Sequence, residues 1–349
     1  MRHNLNVARR YAGARSVWAV VKANAYGHGL ERALRGFTDA DGLALLDLEE
    51  AARARVRGWS KPILLLEGFF AAADLQVVDE LRLTPVVHHP AQVEMLTAFR
   101  PRAPIDVYFK VNTGMNRLGF PVPEVTRSIA ALAALPGVRI AALMTHLANA
   151  DRDSADAGPA AVSDQLRAFA VACDGWRGTR CVANSAALFL HPQVAGDAVR
   201  PGIALYGSTP MAGRPASSFG LRPAMTLAAR VLSVQRLAAG ESLGYGSRWQ
   251  AMRPTRVGVL ACGYADGYPR VASDGTPVWA GGQRVPLIGR VSMDMITVDL
   301  TDVPQVDVGA EVELWGTHIP VDEVAEACGT VGYELLCALA QRVSVVERN

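Results

Sequence analysis

The sequence predicts an α/β protein built as a (β/α)8 barrel over residues 1–220, followed by a mainly β domain over residues 221–349. A chain of 349 residues exceeds the size at which one hydrophobic core usually stops growing, so two domains are expected. Over about the first 210 residues, short apolar runs alternate with helix-like stretches. From about residue 221 this alternation gives way to β-rich segments separated by Gly, Pro and Asp.

Eight short runs rich in apolar or β-branched residues are the candidate strands of the barrel. Such near-continuous apolar runs are typical of parallel strands that are covered on both faces. Their number favours a closed barrel of the TIM type over a doubly wound open sheet, the competing architecture. The candidate strands are SVWAVVK (16–22), DGLALL (41–46), PILLLE (62–67), TPVVH (84–88), DVYFKV (106–111), IAALMTH (140–146), TRCVAN (179–184) and VRPGIALYG (199–207).

Helix-like stretches separate the candidate strands. The segment 47–58 begins at Asp47, a possible N-cap, and carries Glu50 at the position of a capping box. The segment 89–99 places Pro90 in the first helical turn, where proline is favoured. Two further helices are expected over TRSIAALAALPG (126–137) and SDQLRAFAVACDG (163–175).

The second domain is expected to follow a segment rich in Gly, Pro and Ser, STPMAGRPASSFG (208–220). The segments beyond it have the short alternating runs and turn residues of antiparallel strands. The predicted β segments are PAMTLAARVLSVQRL, TRVGVLACGYADG, VWAGGQRVPLIGRVSMDMITVDL and AEVELWG.

Composition and charge exclude several classes of protein. Half of the residues are apolar, and the formal net charge of +2 gives no reason to expect binding to nucleic acid or to an anionic membrane. The N-terminus lacks the apolar stretch of a signal peptide, and no apolar run approaches the ~18 residues of a membrane span. Five cysteines at wide spacings, with no C-x-x-C, predict reduced thiols in a cytoplasmic enzyme and no metal site.

Polar residues cluster at the carboxyl ends of the candidate strands, where barrel enzymes place their catalytic groups. A lysine that faces a phosphate site across the mouth of a barrel suggests pyridoxal phosphate, which needs an amine for its aldehyde, donors for its phosphate, and an Asp or Arg at its ring nitrogen. The strand-end residues are Lys22 and Tyr26 after the first strand, Lys110 and Arg117 at the fifth, His146 after the sixth, Asn184 and Ser185 after the seventh, and Arg200, Gly202 and Ile203 in the eighth.

Each of these residues also has a structural interpretation. Taken alone, Lys22 is more often a strand-end lysine whose amine reaches water. Tyr245 in a glycine-rich turn, and His146 at the end of a strand, are more often structural than catalytic. The functional interpretation depends on the whole set of sequence blocks that contain them.

These blocks resemble the alanine racemase family, whose members are fold-type III pyridoxal-phosphate enzymes. They keep the order of the family and extend from residue 20 to about residue 340. The blocks are VVKANAYGHG, KVNTGMNRLGF, MTHLANAD, NSAALF, RPGIALYG, GYGSRW, GYADGYPR and GRVSMDM.

The resemblance implies a division of catalytic roles. Lys22 would hold the cofactor covalently and act as one base, and Tyr245 from the partner subunit would act as the opposing base. Arg200 would meet the pyridine nitrogen, and a Tyr245–His146–Arg200 hydrogen-bond chain could tune the tyrosine. A homodimer with shared active sites is therefore expected.

The resemblance also implies the binding residues. Tyr26, Ser185, Gly202 and Ile203 would hold the cofactor phosphate, with Asn184 beside them. Arg117 would contact the phenolate side of the cofactor, and the partner's Met293 would lie near the substrate carboxylate. The corridor through which substrate reaches the site would be lined by Asp151, Tyr264, Arg270 and Arg290.

The chain departs from the family pattern in places. Asn112 stands where many members have aspartate, and Gln341 stands where some have a phosphate-contacting tyrosine. Lys110 matches a lysine that is carbamylated in some members. Members normally begin with a strand before the helix that corresponds to RHNLNVARR, so a β domain short of one strand is expected here.

The expected function is interconversion of L-alanine and D-alanine, which would supply D-alanine for peptidoglycan or L-alanine for catabolism. A racemase of broader specificity, for serine or basic amino acids, would keep the same catalytic residues and is the nearest alternative. A decarboxylase of the same fold type would not need Tyr245. A non-catalytic pyridoxal-phosphate carrier would lack the β domain.

Overall fold

The computed structural model describes residues 1–152, 161–194 and 196–347. The chain divides into two compact units, Met1–Leu221 and Arg222–Asn349.

The first unit is a closed barrel of parallel strands, which confirms the predicted fold class. The ring runs β4-β3-β2-β1-β9-β8-β7-β5, and pairing of β4 with β5 closes it; β6 adds to β5 outside the ring. The strands are β1 (Ser16–Val20), β2 (Gly42–Leu45), β3 (Ile63–Leu65), β4 (Thr84–Val87), β5 (Ile105–Asn112), β6 (Phe120–Pro121), β7 (Val138–Met144), β8 (Thr179–Cys181) and β9 (Ala198–Val199).

Helices follow the strands of the barrel. The central strands are buried along their length, as in β2 and β3, because helices cover the outer face and side chains fill the interior. The helical segments are α1 (Arg2–Ala12), α2 (Lys22–Tyr26), α3 (Leu30–Gly36), α4 (Leu48–Val56), α5 (Asp74–Glu80), α6 (Pro90–Ala98), α7 (Val125–Ala133), α8 (Val162–Ala172) and α9 (Ser185–Leu190).

The predicted start of α4 is confirmed, but its capping box is not. The Asp47 carboxylate accepts hydrogen bonds from the main-chain N–H groups of Glu49 and Glu50. The Glu50 carboxylate, which a capping box would direct back to Asp47, instead accepts the N–H of Asn24 at 2.7 Å. A tertiary contact to the segment after β1 therefore replaces the local one.

The last barrel strand is much shorter than the predicted run 199–207. Only Ala198–Val199 forms a strand, and Ile203–Tyr206 forms a 3-10 turn. Pro201 has no N–H to donate to a neighbouring strand, and Gly202 adopts φ −119° and ψ −93°, outside the extended region. The chain therefore leaves the barrel and turns at Gly202.

The second unit contains a six-stranded antiparallel sheet in the order β15-β14-β17-β10-β13-β16. Its longest strand, Leu227–Leu237, alternates buried and exposed residues over its first half, as expected when one face covers a core. The strands are β10 (Leu227–Leu237), β11 (Ser242–Leu243), β12 (Trp249–Gln250), β13 (Thr255–Leu260), β14 (Pro277–Ala280), β15 (Gln283–Pro286), β16 (Ile296–Asp299) and β17 (Glu311–Trp315).

Two short helices near the end of the described chain were not expected from the sequence. They are α10 (Val321–Ala327) and α11 (Gly332–Cys337). Pro320 precedes the first, and Asp322 and Glu323 lie in its first turn, which is the composition of a helix start.

Within the described ranges, no helix is long and apolar enough to cross a membrane. The side chains of Cys173, Cys181, Cys262 and Cys328 are free thiols.

Candidate active site

Lys22 lies where β1 ends. The strand before it is fully buried from Val17 onward, and the N–H of Val21 donates to the carbonyl of Ala44 on the neighbouring strand at 2.8 Å. Lys22 itself is half-buried. The buried strand therefore fixes the backbone of Lys22 at the carboxyl end of the barrel, where a reactive amine is expected.

The segment after Lys22 is a left-handed turn made of residues other than glycine. Ala23, Asn24, Ala25 and Tyr26 have φ between 50° and 55°. This conformation costs roughly 1–2 kcal/mol for each such residue. Tertiary contacts offset that cost, including the bond from Asn24 to Glu50, and the N–H of Ala25 closes the turn on Val21 O at 2.8 Å. Strain of this kind is concentrated at functional sites.

Tyr26, Ser185 and Gly202 form a polar cradle, the name used below for these three residues. A Cβ atom on Gly202 would lie 2.5 Å from the Tyr26 hydroxyl oxygen, so only glycine leaves room for that phenol. The N–H of Gly202 donates to Ser185 Oγ at 2.8 Å. All three are buried, and Ile203, which follows Gly202, is fully buried. The cradle thus combines two hydroxyls with a close approach of the backbone.

Asn184 shapes the cradle indirectly. Its side-chain oxygen accepts the N–H of Ala187 at 2.9 Å, so it caps α9, whose first residue is Ser185. Its Nδ2 atom lies 3.5 Å from the carbonyl of Leu147. In the structure, therefore, Asn184 fixes the position of Ser185.

Arg200 is buried among the carboxyl ends of three strands. Its guanidinium donates to the carbonyls of Thr145 and Cys181, each at 2.8 Å, and to the carbonyl of Val182 at 3.3 Å. It also approaches Cys181 Sγ at 2.8 Å. Within the part of the chain that the structure describes, it makes no hydrogen bond to His146, so that link of the expected chain is not formed here.

Lys110 and His146 lie in a strongly positive environment. Burial, together with the charges of Arg200 and Arg117, lowers the pKa of the Lys110 amine to about 8. Burial and then the charge of Arg200 lower the pKa of His146 to about 3, so the imidazole is neutral near pH 7. Lys22 is close enough to lower both pKa values further.

A small cavity joins several of these residues. Lys110, Arg117 and His146 line it, with Thr113 and Thr145 between them. Thr113 and Thr145 are buried and their hydroxyl oxygens lie 2.7 Å apart, with Thr145 Oγ1 donating to Val111 O at 3.0 Å. Arg117 is exposed at the rim, in the loop after β5.

The charges at the mouth of the barrel fit an anionic cofactor. Among the described groups that shift the pKa of Lys110, Glu67 is the one acid, and it is outnumbered by Lys22, Arg117 and Arg200. Uncompensated buried cations are costly, so an anion is expected to complete the site. A cofactor with a phosphate for the cradle and an aldehyde for Lys22 meets these requirements.

The predicted site residues of the second unit are exposed. Tyr245 is 74% exposed, Met293 54% and Tyr264 38%. Tyr245 begins a 3-10 turn flanked by Gly244 and Gly246, both at positive φ.

The remaining predicted residues of this unit lie near the same turns. A Cβ on Gly246 would lie 3.7 Å from the Arg290 guanidinium. The N–H groups of Tyr264 and Ala265 donate to the carbonyls of Ser292 and Met293, at 3.0 and 2.9 Å, which joins the GYADG and VSMDM segments. Arg270 and Arg290 are exposed, and so is Asp151 in the first unit.

Several residues that shape the site were not anticipated from the sequence. Thr145 and Cys181 hold Arg200, Glu50 holds the left-handed turn, and Glu67 is the acid near Lys110. Thr145, Cys181 and Glu67 all lie at or just after the carboxyl ends of barrel strands, so a survey of every strand end would have included them.

Models of known families match both units. The family described as "Alanine racemase, N-terminal domain" matches residues 1–210, and "Alanine racemase, C-terminal domain" matches residues 224–347. The chain belongs to the alanine racemase family. Curated relatives include the alanine racemase of Paraburkholderia phytofirmans, 52% identical over 98% of this chain and 95% of the relative. That of Janthinobacterium sp. is 51% identical over 100% of this chain and 96% of the relative.

Solved structures of alanine racemases have the same fold. The biosynthetic alanine racemase from Pseudomonas aeruginosa superposes with a TM-score of 0.94 at 48% identity, covering 98% of this chain and 95% of that one. The alanine racemase from Bartonella henselae, solved with covalently bound pyridoxal phosphate, superposes with a TM-score of 0.86 at 29% identity, with the same coverage of each chain.

Membership confirms the resemblance seen in the sequence blocks and makes the chain an enzyme that isomerises amino acids. Alanine racemases depend on pyridoxal phosphate. The cradle, the cations and Lys22 are therefore the groups that would receive this cofactor.

Proposed function

We propose that the protein interconverts L-alanine and D-alanine with pyridoxal 5'-phosphate as cofactor, and that Lys22 and Tyr245 are its two bases. The observation that carries the proposal is the arrangement at the mouth of the barrel. Lys22 follows the carboxyl end of β1, the cradle of Tyr26, Ser185 and Gly202 offers phosphate donors, and the surrounding charges are mostly positive.

Racemisation requires proton transfer on both faces of the substrate α-carbon. The bound cofactor supplies an electron-withdrawing ring that makes the α-hydrogen of an attached amino acid acidic. The Lys22 amine would hold the cofactor until the amino group of the substrate displaces it, and the freed amine would then exchange a proton on one face of that carbon. The Tyr245 phenol exchanges a proton on the opposite face.

Arg200 is the proposed partner of the cofactor ring nitrogen. A guanidinium is always charged and has no proton to give up near neutral pH. It would therefore hydrogen-bond the nitrogen without protonating it and keep the ring a moderate electron sink. Its bonds to Thr145, Cys181 and Val182 fix its orientation.

Tyr245 is proposed to act in the site of the partner subunit of a homodimer. Its exposure in the single chain supports this, because a catalytic phenol needs a desolvated environment that another chain would supply. Neutral His146 is proposed to accept a hydrogen bond from that phenol.

The remaining predicted residues are proposed to bind ligand. Arg117, at the rim of the cavity, would contact the phenolate side of the cofactor, and the partner's Met293 would lie near the substrate carboxylate. Asp151, Tyr264, Arg270 and Arg290 are exposed, as the lining of a corridor must be.

We further propose a cytoplasmic enzyme that supplies D-alanine for peptidoglycan or L-alanine for catabolism. The free thiols of Cys173, Cys181, Cys262 and Cys328 support a reducing compartment.

The test is racemisation of L-alanine by the purified protein, followed by loss of optical rotation, together with absorbance of the bound cofactor. Lys22→Ala should abolish both the cofactor band and activity, and Tyr245→Phe should keep the band while lowering activity by at least ~10²-fold. Lys61→Ala is the control, because Lys61 donates to the carbonyls of Thr38 and Ala40. A cofactor band that survives in Lys22→Ala contradicts the assignment, and serine, lysine and arginine as substrates test for broader specificity.

A further inference from the structure

Tyr206 lies beneath the cradle and contacts two residues of the segment after Lys22. It is 2% exposed, and its ring is stacked on that of Tyr26, with centroids 4.7 Å apart and planes 27° apart. The Tyr206 ring also lies against the ring of His28, with centroids 4.7 Å apart and planes 33° apart. Tyr26, Tyr206 and His28 are called the ring stack below.

Polar contacts orient the ring stack. The Tyr206 hydroxyl donates to the carbonyl of Val20 at 2.9 Å, which ties the ring to the end of β1 two residues before Lys22. His28 Nδ1 lies 2.8 Å from the carbonyl of Tyr26 and therefore carries the proton of the neutral ring. His28 Nε2 is buried without a hydrogen-bond partner among the described residues.

The position of the Tyr26 phenol depends on these contacts. The Tyr26 backbone has φ 51°, a conformation that residues other than glycine rarely adopt, so local preference does not fix its side chain. The phenol nevertheless lies directly against Gly202. Of the groups around it, the Tyr206 ring covers its face and is itself held by Val20 and by the edge of Phe37, 5.7 Å away.

We propose that Tyr206 and His28 are positioning residues for phosphate recognition: their rings hold the Tyr26 phenol against Gly202, where it donates to the cofactor phosphate. This inference rests on the proposed function. Neither residue touches the phosphate, so both act through Tyr26. An aromatic pair with offset stacking suits this role, because it restrains a ring without a covalent or charged contact.

The experiment compares the affinity of the apoenzyme for pyridoxal phosphate and for pyridoxal, which lacks the phosphate. Tyr206→Leu should weaken binding of pyridoxal phosphate by about tenfold, the effect of one hydrogen bond to a charged group, and change pyridoxal binding by less than about twofold. Tyr206→Phe keeps the ring but loses its bond to Val20 O, so it should shift the ratio less than Tyr206→Leu does. His28→Ala should shift the ratio in the same direction as Tyr206→Leu.

Two controls separate positioning from general packing. Phe120→Leu alters a different buried ring pair, Phe120 and Phe109, and should lower Tm without changing the ratio of the two affinities. In a Tyr26→Phe background, which has no phenol to position, Tyr206→Leu should leave the ratio unchanged.

Equal weakening of both ligands, or a full effect of Tyr206→Leu in the Tyr26→Phe background, would overturn the inference. If Tyr206→Leu does not fold, His28→Ala and Tyr206→Phe decide in the same assay. A wild-type apoenzyme that binds neither ligand would overturn the proposed function, and the inference with it.

Discussion

Lys110 is a buried lysine of the barrel that is surrounded mainly by other positive charges. It is 7% exposed, and burial and the nearby Arg200 and Arg117 hold the pKa of its amine at about 8. An appreciable fraction is therefore neutral at slightly alkaline pH, and a neutral amine adds to carbon dioxide. The carbamate would replace a cation by an anion among Lys22, Arg117 and Arg200, which lowers their repulsion.

We predict that Lys110 forms this carbamate. Protein equilibrated with ¹³C-bicarbonate at pH 8 should show a carbamate carbonyl signal by NMR, and Lys110→Ala should remove it. The sequence contains three lysines, Lys22, Lys61 and Lys110, so the assignment is short. Lys61→Ala is the matched control and should keep the signal; a signal that persists in Lys110→Ala would contradict the prediction.

His28 is a buried histidine whose imidazole is neutral in the folded protein near pH 7. Burial lowers its pKa to about 4, whereas an unfolded histidine titrates near 6.5. The unfolded state therefore binds the extra proton between these values. Neutral His28 therefore makes its full contribution to the unfolding free energy above about pH 6.5. This contribution is lost as the pH falls toward 4.

We predict that His28→Phe, which keeps a ring in the stack, flattens the pH dependence of the unfolding free energy. Between pH 6 and pH 5 the slope for the apoenzyme should fall by about 1.4 kcal/mol per pH unit, the value for one proton. Urea denaturation at several pH values measures it. Phe37→Leu is the control, because it alters the same buried cluster but keeps His28, and its slope should match that of the wild type.

At the scale of elements, the left-handed turn of α2 is the least regular part of the barrel. Its residue types do not prefer positive φ, apart from Asn24, which tolerates it. Glu50 on α4 and the ring stack hold it in place. Because tertiary contacts impose positive φ on these residues, a glycine in the turn should relieve the strain.

We predict that Ala23→Gly raises the unfolding free energy by about 0.5 kcal/mol, because relief of positive φ exceeds the added entropy of the unfolded chain. Ala23 is exposed, so packing does not change. Ala130→Gly, at an exposed site inside the right-handed helix α7, should lower the unfolding free energy by about 1 kcal/mol. Equal destabilisation by both changes would show that the turn carries no strain.

The regular elements of the barrel followed from the sequence, whereas its irregular segments and the short helices α10 and α11 did not. Periodicity and end signals predicted the eight barrel strands and the N-cap at Asp47, because local residue types dominate there. The end of the last strand at Gly202, the turn after Lys22 and the partner of Glu50 depend on distant contacts. For the site, their positions at strand ends pointed to Lys22 and Arg200. The carbonyls that Arg200 binds belong to residues distant in the sequence, so local residue patterns do not predict them.

At the scale of the whole molecule, the proposed bases lie in different compact units. Lys22 belongs to Met1–Leu221 and Tyr245 to Arg222–Asn349, where it is 74% exposed. If Tyr245 serves the partner subunit, each site of a homodimer draws its two bases from two chains. Mixing two variants that each lack one base then tests whether the two bases of a site come from different chains.

We predict complementation between two inactive variants. Lys22→Ala and Tyr245→Phe, unfolded together and refolded in equal amounts, should recover about one quarter of wild-type activity, because half the dimers are mixed and each has one intact site. Mixing either variant with itself is the control. No recovery, with mixed dimers shown by mass spectrometry of tagged chains, would mean that both bases come from one chain.

Arg200 has a further consequence for attempts to redesign this enzyme. The carbonyls of Thr145, Cys181 and Val182 all accept hydrogen bonds from its guanidinium, and the Cys181 carbonyl also accepts the N–H of Thr145 at 3.3 Å. An acidic residue at this position, which would make the cofactor a stronger electron sink, would leave the carbonyls of Thr145 and Val182 without this donor, at about 1–3 kcal/mol each. The type of reaction and the link between the carboxyl ends of β7, β8 and β9 therefore depend on one side chain. A redesign for another reaction would first have to supply new hydrogen-bond donors for these carbonyls.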